Sequence, residues 1–444
     1  MNKTIYYYTL AADKHLPDAQ YRLGIIFYYG RDVKQDTNKS IYYFTQAANQ
    51  NFTEAQIFLG LIYTSSYYLP HDIDKALYFL HKAAENNSGL AQLYIGSIFN
   101  EGKFVNRDIN KALHYFTLAA NQNQHIAQYN LGIMHLQGKD VKQDIKKALN
   151  YLFLSARQGY KDAQCKLGII YQKGIYVTRD IKKAIQYYTL AAVQNDPMAQ
   201  VKLGFIYERG RFVPQNINKA LYYYQLALNL NYPLAKYMFG VIYHSGKYVS
   251  RDIMKAIKYY KEVSSLNNQY AKNNLALIYK NGTDVPQNIS YAIELFSEAI
   301  RQKNNVASIY NLANLYFYIG HLDESISLLI KSIDSFEASS ALLGLIFVQK
   351  YKKVDLATIE NEFVMHGNMS NSFPLIVYNQ IKKYEFENNA KFQYFYKSFQ
   401  KNDYFYDTNG VVAANIFFGE EKKNEKVNRK IDINHLFYEG FGMS

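Results

Sequence analysis

One alanine recurs every thirty-six residues along this chain, at Ala19, Ala55, Ala91, Ala127, Ala163, Ala199, Ala235, Ala271 and Ala307, with no insertion between them. A fixed period of that length marks a repeat array, in which each unit buries only one side alone and stacks on its neighbours to bury the rest. A glycine keeps step five residues on, from Gly24 to Gly240, until Ala276 takes its place. A second follows at Gly30, Gly102, Gly138, Gly174, Gly210, Gly246 and Gly282, with Ser66 interrupting the series. An array grows linearly, so the length of 444 residues does not translate into a number of globular domains.

Because the units resemble one another, each position can be read as a column reporting a shared environment. Asp18 to Tyr29 has helical period, with Ala19, Leu23, Ile26 and Phe27 on one side and Gly24 at its margin. This is helix A of each unit, and the second glycine suits the left-handed residue that stops it. Six residues later stands Asp36, Asp72, Asp108, Asp144, Asp180, Asn216, Asp252 or Asn288. Asp and Asn accept bonds from the unpaired amides of a first turn, so this column is the predicted N-cap of helix B. Helix B presents Ala76, Ala112, Ala148, Ala184, Ala220 and Ala256, then large side chains three and four residues on, including the aromatic column from Tyr43 to Tyr259. Large residues facing small ones across a helix pair interdigitate without voids.

The pattern A-x-x-x-L-G-x-x-Y/F-x-x-G-x-x-V-x-x-D-x-x-K-A resembles the Sel-1-like repeat, a relative of the tetratricopeptide repeat, over about residues 1–303. The resemblance implies an all-α fold: a right-handed α/α superhelix, or solenoid, of stacked antiparallel helix pairs. The expected organisation is a half unit plus eight repeats over 1–303, a tetratricopeptide-like unit over 304–337, and a divergent helical region over 338–444. The middle assignment rests on Gly320 and Ser325, which stand at tetratricopeptide-like offsets from Ala313, the serine closer than Ser40 is to Gly24. The chain opens with a helix B, Thr4 to Ala12, that either caps the array or continues a longer parent. The charge run from Glu420 to Lys430 reads as a solvated linker.

Composition narrows the function. With 49% apolar and 20% charged residues the chain has material for a core and does not resemble a disordered protein. Its one cysteine, Cys165, excludes internal disulfides and cysteine-based zinc clusters, which fits a reducing compartment, so a cytoplasmic location is expected. No stretch approaches the ~18 apolar residues of a membrane span. The formal charge of +13 invites a basic nucleic-acid-binding solenoid as an alternative, but dispersed lysines are solvated surface unless they cluster.

Chemistry is sparse. One aspartate per unit at a fixed offset is what a cap requires and what a paired acid–base site does not. The ten histidines form no H-x-x-x-H or H-E-x-x-H pair, and the recurring glycines end helices rather than open them as phosphate loops do. No metal, cofactor or catalytic residue is expected. A second alternative is a regulatory part of a larger, for example kinase-linked, protein, although no H-R-D or D-F-G element is present.

The variable columns carry the functional expectation. Residues 21, 25, 28 and 29 and their equivalents lie opposite the small residues of helix A, on the face that lines the concave groove in related superhelices. Along the 28 and 29 offsets the chemistry passes from aromatic to acidic to basic, as suits a groove reading an extended peptide. Tyr21, Tyr28, Tyr29, Tyr129, Lys173, Arg209 and Tyr237 are the candidate partner-binding residues, tyrosine giving large contact area at little rotamer entropy. The expected function is a non-enzymatic scaffold or adaptor that binds a protein or peptide through this face.

Overall fold

A computed structural model describes residues 3–30, 33–65, 71–266, 268–302, 306–332, 356–365 and 377. The regular structure of the described residues is all helical, with no strand. After α1 (Lys3–Asp13), helices A and B alternate: α2 (Pro17–Tyr29), α3 (Thr37–Asn49), α4 (Thr53–Ser65), α5 (Ile73–Glu85), α6 (Gly89–Glu101), α7 (Ile109–Asn121), α8 (His125–Gln137), α9 (Ile145–Arg157), α10 (Lys161–Lys173), α11 (Ile181–Ala192), α12 (Pro197–Arg209), α13 (Ile217–Asn229), α14 (Pro233–Ser245), α15 (Ile253–Ser264), α16 (Gln269–Asn281) and α17 (Ile289–Gln302). Then follow α18 (Val306–Tyr318), α19 (Leu322–Ser332) and α20 (Leu356–Met365). Of the divergent region over 338–444, α20 and Val377 are described; the rest, with the charge run 420–430, lies outside the described residues, as does Ser66.

Packing divides the chain into two compact units, residues 1–203 and 204–444. In the first, each helix from α1 to α10 packs on its successor, and in the second the same holds from α13 to α18. Both are stacks of helix pairs.

The turns follow from the predicted columns. Asp36, Asp72, Asp108, Asp144, Asp180, Asn216 and Asp252 each accept the backbone N–H three residues on, capping helix B, and Asn288 accepts from Tyr291 N at 2.9 Å. Helix A stops on glycine: Gly174 has φ 67°, in the left-handed region where only glycine sits without strain, and its N–H reaches Ile170 O. Helix B stops on a second left-handed column, Asn51, Asn87, Asn123, Asn195 and Asn231 with φ of 56–62°, a conformation asparagine tolerates better than most residues.

Inside each pair, the helix A glycine sits under the ring or branched end of a buried helix B residue. Phe44, Leu80, Phe116, Leu152, Tyr188, Tyr224 and Tyr260 fill this position. A Cβ on Gly168 would fall 2.6 Å from two ring atoms of Tyr188, so the helix pair holds its spacing only with glycine there. The Tyr43 column lies one residue aside, flat against the ring at the end of helix A, as Tyr171 and Tyr187 show with planes 5° apart.

Successive pairs are tied by a buried amide ladder. Gln20, Gln56, Gln128, Gln164 and Gln200 each donate Nε2 to a carbonyl at the end of the preceding helix B. Their Oε1, and that of Gln92, accepts from Gln50, Asn86, Gln122, Gln158 or Gln194 of their own repeat, except at Gln200. Gln200 Oε1 is buried without a partner, and Leu230 holds the position that Gln194 has one repeat earlier. Further on the ladder changes chemistry: Lys236 pairs with Glu262 at 2.9 Å and Lys272 with Glu298 at 2.6 Å.

Candidate functional site

Residues 1–203 contain five of the seven candidate partner-binding residues. Tyr21 leaves α2 half-buried among Phe44, Phe52 and Phe58, with ring centroids 5.2–5.7 Å away. Burial, and then Glu54, pushes its phenol above the ordinary tyrosine value. Tyr28 and Tyr29 meet edge to face at 5.1 Å, and Tyr29 keeps 55% of its surface exposed. The α2 end that carries them is held by Gln35, whose Nε2 donates to Tyr28 O at 2.8 Å. Tyr129, on α8, packs edge-on to Tyr160 at 5.3 Å, and burial followed by Asp162 pushes its hydroxyl up to about 12. It stays protonated and a hydrogen-bond donor at neutral pH. Lys173 ends α10, partly buried.

Residues 204–444 carry Arg209 and Tyr237. The Arg209 guanidinium lies 5.7 Å from the Phe205 ring centroid, and its Nε is buried without a hydrogen-bond partner. Tyr237 is buried, 4% exposed, with its ring against Tyr260 and Tyr270 and its hydroxyl 3.5 Å from Asn274 Nδ2.

The 21 offset therefore turns largely inward. Ile57, Leu93, Cys165, Val201, Tyr237 and Asn273 are all buried, whereas Tyr29, Glu101 and Gln137 of the 29 offset are exposed. Cys165 is a buried free thiol beside Asp196. Burial first, then the Asp196 charge, raises its pKa well above the usual thiol range, so it is not a reactive thiolate.

The 28 offset is more constrained than its changing chemistry suggests. Where helix B brings a tyrosine instead of Phe or Leu over the glycine, that tyrosine's hydroxyl reaches the residue at the 28 offset. Tyr188 donates to Gln172 Oε1 at 2.7 Å, Tyr224 to Glu208 Oε2 at 2.6 Å, and the Tyr260 hydroxyl stands 3.5 Å from His244 Nδ1. Burial, then Glu208, raises the Tyr224 phenol well above its ordinary value. The polar residue and the tyrosine sixteen positions on form a matched pair, a signal available in the sequence as joint change of two columns. The Gln20 ladder leaves a repeated Ala-Gln dipeptide in the sequence, which does not by itself reveal the partners.

The connecting loops are joined from repeat to repeat as well. Arg107 grips Asp140 through two bonds of 2.9 and 2.7 Å, and Arg251 grips Asp284 through two of 2.6 Å. Each of these arginines also donates Nε to a helix A carbonyl, at Asn100 and His244. Among the described residues, no group of His, Cys, Asp and Glu is arranged to hold a metal ion, and no helix is long and apolar enough to cross a membrane.

Comparison with known proteins gives this architecture a context. The sequence matches the Sel1 repeat at residues 1–16, 17–52, 53–88, 89–124, 125–160, 161–196, 197–232, 233–268 and 269–304. The fold is similar to that of a protective antigen of uropathogenic Escherichia coli strains displaying an SLR fold, with TM-score 0.66, 21% identity and coverage of 96% of this chain and 99% of that one. It is also similar to a Sel1 repeat protein from Oxalobacter formigenes, with TM-score 0.54, 26% identity and coverage of 72% and 91%. No curated protein matches the sequence.

Proposed function

Since the chain belongs to the Sel1 repeat family, we propose that it is a non-enzymatic scaffold that holds a protein or peptide partner on its helix A face. The observation carrying this reading is a contrast within the repeats. Caps, glycines, ladder and the side chain packed over the glycine recur, whereas the last residue of helix A changes from Tyr29 to Glu101 to Lys173 to Arg209. A regular frame with a variable edge is the form in which a repeat protein acquires specificity.

On this reading Tyr28, Tyr29 and Lys173 meet the partner in the first unit and Arg209 in the second. Tyr21, Tyr129 and Tyr237 support them from below and add area where a partner side chain reaches in. The array over 1–303 does the binding, the 304–337 unit ends it, and 338–444 is a separate C-terminal region. A cytoplasmic setting is part of the proposal, because Cys165 alone forms no internal disulfide.

The test is affinity capture with the full chain. A Tyr28→Ala, Tyr29→Ala and Lys173→Ala variant that keeps its circular dichroism is compared with a helix B control, Lys147→Ala with Lys183→Ala. Partners lost from the first and kept by the second support the proposal. The opposite pattern, or an unchanged partner set from both, contradicts it.

A further inference from the structure

In six repeats the ring ending helix A lies flat against an aromatic of helix B, Phe27 on Tyr43 and Tyr171 on Tyr187 among them, with planes within 10° and centroids 5.8–6.3 Å apart. Phe99 and Tyr115 hold these positions in the repeat built from α6 and α7, and among the described residues this pair does not stack. Tyr115 leans instead towards His81, its hydroxyl 3.3 Å from Nδ1 and the two rings 5.7 Å apart at 60°. His81 is the histidine of a column that otherwise holds Thr9, Thr45, Thr117, Phe153, Thr189, Gln225 and Lys261, and it gives Tyr115 a polar partner on the preceding helix B. Burial lowers the His81 pKa, with Lys111 adding to the effect and Glu85 opposing it, so the ring is neutral at pH 7 and can share a proton with the tyrosine.

A cavity of about 380 Å³ lies here, lined by His81, Phe99, Asn110, Lys111, His114 and Tyr115, within the size range of small-molecule sites. Its walls are aromatic and its rim is basic. Lys111 Nζ stands 4.8 Å from the Phe99 centroid and 3.8 Å from its nearest carboxylate, Asp108 Oδ2, while His114 lies exposed, edge-on to Tyr115 at 5.2 Å. A loose 3.8 Å pair on an exposed side chain is readily exchanged for a better one.

We propose that these six residues form a binding slot for a planar aromatic carboxylate, its ring taking the place that Tyr115 has left beside Phe99 and its negative group meeting Lys111 and His114. The flat ring is selected by the walls and the charge by the rim. The slot is lined by helix B and the end of helix A, apart from Tyr28, Tyr29 and Lys173, so it stands or falls independently of partner binding.

The test uses the full chain and 2-naphthoate as probe, followed by ligand-detected saturation-transfer NMR. Cyclohexanecarboxylate serves as a non-planar anion and 2-naphthylmethylammonium as a planar cation. His81→Thr installs the residue that Thr45, Thr117 and Thr189 supply at the equivalent position, so Tyr115 loses its partner and is free to stack on Phe99 and fill the slot without disturbing the fold. Lys111→Gln removes the rim charge from an exposed position. The expected result is binding of 2-naphthoate in preference to both controls, weakened about tenfold or more by His81→Thr, with Lys111→Gln erasing the preference for anion over cation. Absence of 2-naphthoate binding to the wild-type chain, equal binding of cyclohexanecarboxylate, or binding that both variants leave unchanged would overturn the proposal.

Discussion

Gln128 is 1% exposed and sits at the centre of one rung of the amide ladder, with Nε2 donating to Ala120 O at 3.2 Å and Oε1 accepting from Gln158 Nε2 at 2.7 Å. Gln128→Leu keeps the volume and removes both bonds. Neither partner is left bare: Ala120 O still accepts from Asn123 N at 3.0 Å, and Gln158 Nε2 keeps a long 3.4 Å bond to Leu154 O. At about 1 kcal/mol net per hydrogen bond, less a partial offset from the added apolar burial, the loss is about 1–2 kcal/mol. Gln200→Leu is the internal control. Gln200 makes one bond, to Ala192 O at 3.1 Å, and its Oε1 is buried and unpaired. Leucine there gives up ~1 kcal/mol and relieves an unsatisfied acceptor that costs about 1–3 kcal/mol, so the change is neutral or stabilising. Urea unfolding of the full chain followed by helical circular dichroism reads both, with amide exchange locating the loss, because arrays depart from a single transition. A Gln128→Leu chain that unfolds with the wild type, or a Gln200→Leu chain destabilised equally, would refute the assignment of cohesion to the ladder.

Three further outcomes follow from the same contacts. Burial raises the Asp196 carboxyl above its ordinary value, only partly offset by the 2.6 Å bond from Ala199 N, so its share of stability is complete below the unfolded carboxylate value and is lost as pH rises through the folded one. Asp196→Asn retains the cap, as Asn268 does for Ala271 N, and should be more stable than wild type at pH 7, with the gap closing by about pH 4 in pH-dependent melts; no gain at pH 7 would count against it. Asp180→Ala should lower stability by about 1 kcal/mol while Asp180→Asn should not, since Asn216 caps α13 in the same way, and denaturant melts distinguish the two. Gly168→Ala gains up to ~1 kcal/mol of helix propensity but drives a Cβ to 2.6 Å from the Tyr188 ring, an overpacking of about 1–3 kcal/mol; a lower thermal midpoint is expected, and a higher one would contradict the close approach.

Much of the frame was legible in the sequence because it depends on local rules repeated many times. An Asp or Asn before helix B and a glycine after helix A each have one conformational meaning, and the structure shows them as caps and left-handed stops. The buried amide ladder escaped because a glutamine among apolar residues reads as surface until its partners thirty residues away are known, as for Gln128 and Gln158. The variable face was only half legible. Helical period placed the 21 and 28 offsets opposite Ala19, but could not tell that the first packs inward, as Val201 does at 0% exposure, or that Gln172 and Glu208 answer to Tyr188 and Tyr224. Those are tertiary facts, set by which residue arrives from the next helix.

The central claim is that a partner lies on the helix A face, and hydrogen–deuterium exchange of the full chain, alone and saturated with a partner purified by capture, tests it most directly. Slowed exchange is expected at the C-terminal turns of α2 and α10, around Tyr28, Tyr29 and Lys173, with the first turns of α9 and α11 around Lys147 and Lys183 unchanged. Protection confined to the helix B positions would contradict it.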